Sequence, residues 1–158
     1  MEKKHIEHFF ENAGNIDKYE IFNITLPITL IHKKLFNLNE QLLKEKYDLI
    51  HSDLDVLAAL YFNGKVLSPT ELYDRIVFSS GGMTKILKKL QGLEYISRIA
   101  SPDDKRSTLV QLEPKGEELL ISCLDEIASL REEMLNNLTK EERDNLKMIL
   151  KKITLNLF

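Results

Sequence analysis

The residues that could do chemistry in this chain gather in two neighbouring stretches, and both suit the binding of an anion better than the breaking of a bond. Between Arg75 and Leu93 four cations occur, Arg75, Lys85, Lys88 and Lys89, with no acid among them. Further on, "SPDDKRST" sets Lys105 and Arg106 beside Asp103 and Asp104. The 158 residues carry a net charge of −3, so the total does not announce a polyanion as partner. The distribution matters more, because salt screens charges over roughly 8–10 Å and a ligand feels the local surface. On charge alone, a solvated lysine face is the favoured reading.

Other chemistry finds little support. No Gly-rich phosphate loop, His-Glu-x-x-His pair or nucleophile elbow occurs, so no enzyme is expected and no cofactor is called for. His5 and His8 share a helix face but have no evident acidic or cysteine partner, and they read as surface histidines rather than a metal site. Nothing in their setting singles out His32 or His51 as lining an effector pocket. The single cysteine, Cys123, excludes an internal disulfide and fits a reducing cytoplasm. Its neighbours Leu120, Leu124 and Ile127 point to a buried structural thiol rather than a redox sensor. Apolar runs are too short for a membrane span, and the N-terminus does not read as a secretory signal.

Hydrophobic residues make up 43% of the chain, enough for a sizeable core. The pattern predicts helices over residues 4–12, 17–46 (with Pro27 as kink or start) and 53–62. The last of these is expected to be capped by Ser52 and ended by Asn63-Gly64. Ser68, Pro69 and Glu71 form a capping box that opens a short helix. "FSSGGMTKILKKLQGLEYI" then opens another, with Ser79 or Ser80 as cap. Two β-branched, apolar runs follow, Ile96–Ala100 and Thr108–Leu112, with a Pro-Asp-Asp turn between them. Helices over 116–136 and from Thr139, the latter with Glu142 completing a box, close the chain.

On a wheel of 100° per residue, Met83, Ile86, Leu87, Leu90 and Leu93 share one side of the helix over 80–93. Gly81, Thr84, Lys85, Lys88 and Gly92 share the other, with Lys89 at its edge. A helix of this kind fits a major groove, its small N-terminal residues near base edges and its lysines on phosphates. Ser80 and Thr84 are donors to bases or phosphates.

The run from Leu67 to Leu120 resembles the winged helix-turn-helix of the MarR family of bacterial transcription regulators. "SSGGMTK" opens the recognition helix, and "SPDDKRSTLVQLEPKG" is similar to the family's wing, with Asp104 and Arg106 at its Asp-x-Arg positions. The resemblance implies a homodimeric repressor on a pseudo-palindromic operator, with release by a small-molecule effector. The fold it implies is mainly α with a small β-hairpin wing, a winged helix-turn-helix flanked by terminal dimerisation helices. Residues 1–50 and 116–158 would supply those helices, and 51–115 the DNA-binding domain. Ser79, Ser80, Gly81, Thr84, Lys85, Lys88 and Lys89 are the expected contacts of the recognition helix. In the wing, Arg106 would enter the minor groove, Asp104 would hold the loop, and Lys105 would face phosphate or water. The chain departs from the family pattern at Glu94, where glycine is usual, and at Glu113-Pro114, where Leu-Thr is frequent. A winged-helix interaction module that has lost DNA binding is the competing reading.

Overall fold

The computed structural model describes residues 3–13, 17–76, 82–102 and 108–157. Its elements are α1 (Lys3–Ala13), α2 (Phe22–Tyr47), α3 (His51–Phe62), β1 (Val66–Leu67), α4 (Pro69–Arg75), α5 (Met83–Gly92), β2 (Ile96–Ala100), β3 (Thr108–Leu112), α6 (Pro114–Leu135) and α7 (Lys140–Leu157). They form two compact units, residues 1–48 and 49–158.

In the first unit α1 packs on α2. Pro27 lies inside α2, and the helix continues through it to Tyr47. Thr25 and Thr29 turn their hydroxyls back onto the carbonyls of Ile21 and Thr25, each at 3.2 Å. Asp48 ends the helix in the left-handed region, at φ 53°, with its N–H on the Leu43 carbonyl.

The second unit is built around α3. Leu54, Val56, Leu57, Ala59 and Leu60 are all buried, because four elements cover this helix: α4, α5, α6 and β3. Each fully buried leucine contributes about 2 kcal/mol of apolar transfer. The cap of α3 differs from expectation. Ile50 is the N-cap, and the Asp53 carboxylate accepts its backbone N–H at 3.0 Å, so Ser52 lies within the helix. Gly64, at φ 90°, ends α3 as the Asn63-Gly64 pair predicts.

Strands β2 and β3 pair antiparallel from Ile96↔Leu112 to Ala100↔Thr108, with the predicted boundaries. The sequence pattern misses β1, which pairs with β3 through Val66↔Gln111 and Leu67↔Val110 and gives the sheet order β1-β3-β2. Two residues are too few to show alternation, so only the pairing reveals the strand.

The exit from α5 explains the departure at Glu94. The Tyr95 N–H reaches the Leu90 carbonyl at 3.0 Å and the Glu94 N–H reaches that of Gln91 at 3.1 Å. This is a Schellman ending, with Glu94 as its left-handed residue at φ 63°. A side chain with a Cβ occupies the position where glycine costs least. Farther on, Gly116 lies against the second strand's entry, where an added Cβ would stand 2.2 Å from the Tyr95 carbonyl oxygen. Helix α6 can therefore seat here only with glycine. It buries Gly116, Leu120, Cys123 and Ile127, while Leu119, Leu124 and Leu130 are half-buried and Met134 is exposed. Helix α7 starts with the expected box: the Thr139 N–H reaches Glu142 Oε2 at 2.7 Å, and the Glu142 N–H reaches Thr139 Oγ1 at 3.3 Å.

Two substitutions test these backbone constraints by urea unfolding. Gly116→Ala should lower stability by about 3 kcal/mol, since backbone rather than a flexible side chain must yield. Glu94→Gly should raise it by about 0.5–1 kcal/mol, because the 3.4 Å exposed pair with Lys115 that it gives up contributes little. An unchanged Gly116→Ala midpoint, or a destabilised Glu94→Gly, would contradict this account.

Candidate nucleic-acid interface

The surface carried by α5 is set by what α5 buries. Ile86, Leu87 and Leu90 are buried at i, i+1 and i+4, which turns Thr84, Lys85 and Lys88 outward. Leu93, expected on the inner face, is instead the exposed C-cap, because the helix ends at Gly92. The start of the helix also differs. Its N-cap is Gly82, at φ 84°, and the Lys85 and Ile86 N–H groups reach the Gly82 carbonyl at 2.8 and 3.1 Å. Neither Ser79 nor Ser80 is therefore the cap; a left-handed glycine starts the helix at Met83 without a side-chain cap. Ser79, Ser80 and Gly81 lie outside the described residues, and so do Asp104, Lys105 and Arg106 of the wing.

The preceding helix is fixed firmly. Glu71 donates its backbone N–H to Ser68 Oγ at 3.2 Å, and its Oε2 accepts the Ser68 N–H at 2.9 Å. The Ser68 backbone N–H, then the Ser68 hydroxyl, holds the Glu71 carboxyl below the usual range. Arg75, at the other end of α4, donates to Asn63 Oδ1 at 2.6 Å, which ties α4 to the turn after α3.

The three lysines of α5 divide into two kinds. Lys85 and Lys88 are exposed and make no ion pair among the described residues. Lys89 is half-buried, and its Nζ lies 2.6 Å from Oδ2 of Asp53 on α3. Sequence reasoning treats Lys89 with the other lysines and misses Asp53. A signal was present, since an acid at the third position of a helix often bonds back to the N-cap N–H. Reading Ser52 as the cap hid it. Nearby, burial pushes the Asp55 carboxyl up to about 6, against the lowering effect of His51.

Cys123 is fully buried, and burial, with Glu126 adding to it, pushes its thiol up to about 11. At neutral pH it is a thiol, not the thiolate that oxidants and metals attack. No group of three or more His, Cys, Asp and Glu among the described residues could hold a metal ion, and no described helix is long and apolar enough to cross a membrane.

Two helices packed on a third, followed by an antiparallel hairpin, define a winged helix-turn-helix protein. The model of the MarR family matches residues 47–107. The HTH-type transcriptional regulator MhqR of Bacillus subtilis (strain 168) is 34% identical over 112 residues, covering 70% of this chain and 76% of that protein. The multiple antibiotic resistance protein MarR of Escherichia coli (strain K12) is 30% identical over 140 residues, covering 85% of this chain and 95% of its own length. A crystal structure of a mutant MarR from E. coli complexed with operator DNA has a TM-score of 0.68 at 27% identity, covering 85% of this chain and 95% of that one. The chain belongs to the MarR family of transcriptional regulators, as the run from Leu67 to Leu120 led us to expect.

The state of the thiol is open to direct measurement. Native protein at neutral pH should alkylate Cys123 with iodoacetamide at least about tenfold more slowly than protein unfolded in urea. Equal rates would contradict a buried, protonated cysteine.

Proposed function

We propose that this chain represses transcription by binding an operator duplex as a homodimer, with α5 in the major groove. The observation that carries the reading is the outward face of α5. Thr84, Lys85 and Lys88 project from a helix whose other side is buried, so the cations are held at fixed positions rather than on a loop. Thr84 is the donor nearest the helix start and is assigned to base edges or phosphate. Lys85 and Lys88 are assigned to phosphates, whose neutralisation releases counterions. Ser79, Ser80 and Gly81 before the helix, and Arg106 with Asp104 and Lys105 in the wing, keep the roles that the family resemblance implies. The E. coli MarR solved with operator DNA supports this placement by its likeness to the chain.

The dimer reading rests on apolar side chains left exposed in both terminal segments. In α2 these include Ile24 (58%), Ile28 (44%) and Ile31 (47%); in α7, Ile149 (52%), Ile153 (40%) and Leu155 (72%). Exposed apolar surface of this extent marks an interface. A two-fold dimer sets its recognition helices about 34 Å apart, one turn of DNA. A cytoplasmic site of action fits the same reading, as does release by a small-molecule effector. The latter would raise the melting temperature by binding the folded chain only.

Fluorescence anisotropy against duplexes selected from a random-sequence pool tests the proposal. Lys88→Ala should weaken binding across sequences and flatten the log–log salt slope by about 1. Arg106→Ala should weaken the selected duplex most. A wild-type chain that selects no duplex, or a gel-filtration mass of a single chain, would contradict the proposal.

A further inference from the structure

The pair Lys89–Asp53 belongs to a different class from the exposed lysines around it. Asp53 is almost wholly buried, its side chain 1% exposed, whereas that of Lys89 is 37% exposed. A buried carboxylate loses several kcal/mol of hydration unless a cation and hydrogen bonds replace it. Here Oδ2 takes both: the Lys89 ammonium at 2.6 Å and the Ile50 N–H at 3.0 Å. Oδ1 is buried and has no hydrogen-bond partner among the described residues. Lys89 is thus the counter-ion that the geometry gives this carboxylate. Swinging it to a phosphate would leave Asp53 charged and buried.

The pair also does what apolar packing does poorly. Burial of Ile86, Leu87 and Leu90 decides which side of α5 faces inward, but apolar contact is non-directional. A charge-assisted hydrogen bond is short and directional. Lys89 sits one turn after Lys85 and next to Lys88, so fixing its Nζ on α3 fixes the rotation and slide of the face that carries Thr84, Lys85 and Lys88.

We propose that Lys89 is not a phosphate contact but a positioning residue: with Asp53 it locks α5 on α3 at the angle at which its outer face reads base pairs. This deepens, and rests on, the proposed DNA-binding role. It separates two lysines adjacent in sequence. Lys88 supplies affinity without regard to sequence, and Lys89 supplies discrimination.

The test compares a duplex selected by the wild-type protein with a scrambled duplex of the same length, each over a range of salt. Lys89→Met should reduce the preference for the selected duplex by roughly tenfold, about the effect of one mismatched base pair. It should leave the salt slope on the scrambled duplex unchanged. Lys88→Ala should do the reverse, flattening the slope by about 1 and keeping the preference. Asp53→Asn also disturbs the cap of α3, so Lys89→Met carries the argument, and Asp53→Asn/Lys89→Met completes a cycle. The double variant should be no less discriminating than the worse single one. A merely stabilising role would lower the folded fraction and leave the preference of the folded protein intact. A Lys89→Met slope that flattens like that of Lys88→Ala, an unchanged preference, or additive effects in the cycle would overturn the proposal. A wild-type protein without preference for any duplex would instead remove the DNA reading, and this proposal with it.

Discussion

The burial of α3 on several sides is the constraint from which the rest of the second unit follows. A helix with Leu54, Val56, Leu57, Ala59 and Leu60 buried needs a neighbour on more than one face. Helices α4 and α5 take part of that surface, α6 takes another, and β3 brings the hairpin against it. The surface proposed to meet DNA is thus a by-product of a packing solution. Once Ile86, Leu87 and Leu90 are committed to the interior, the placement of Thr84, Lys85 and Lys88 is decided. A rigid helix presented by a packed core is a more precise reader than a loop with the same residues would be.

Electrostatics completes what packing begins. The chain is acidic overall, yet no acid occurs in the run from Arg75 to Leu93 that contains α5. Asp53, which reaches that helix from α3, is buried and paired through Oδ2 with a lysine from the helix itself. Its charge is therefore spent internally rather than repelling a phosphate. Two cations remain outward where the sequence shows three in a row of five residues, Lys85, Lys88 and Lys89. Counting lysines along a helix overstates the charge available to a partner when one of them answers a buried acid.

Much of this was legible in the sequence because it depends on local rules. The capping boxes at Ser68 and Thr139, the two hairpin strands and the buried side of α5 follow from residue type and period. The run from Leu67 to Leu120 was enough to point to the family. What escaped depends on tertiary contact. Strand β1 exists only through its pairing with β3, and the Lys89–Asp53 pair joins residues 36 apart in sequence. The start of α5 was placed too early because two serines make an attractive cap, whereas a left-handed Gly82 starts the helix instead. Glu94 was recognised as unusual, but only its positive φ shows why glycine would suit that position. The wing contacts Asp104, Lys105 and Arg106 remain a proposal drawn from the family pattern.

The central claim, that the outward face of α5 lies in a major groove, is tested most directly by dimethyl sulfate protection of guanine N7 on a selected duplex. N7 lies in the major groove, so its protection reports an occupied groove and not merely a neutralised backbone. The account predicts two protected clusters about one helical turn apart, both lost in a Thr84→Ala/Lys85→Ala variant. Tight binding that leaves every N7 as reactive as in bare DNA would contradict it.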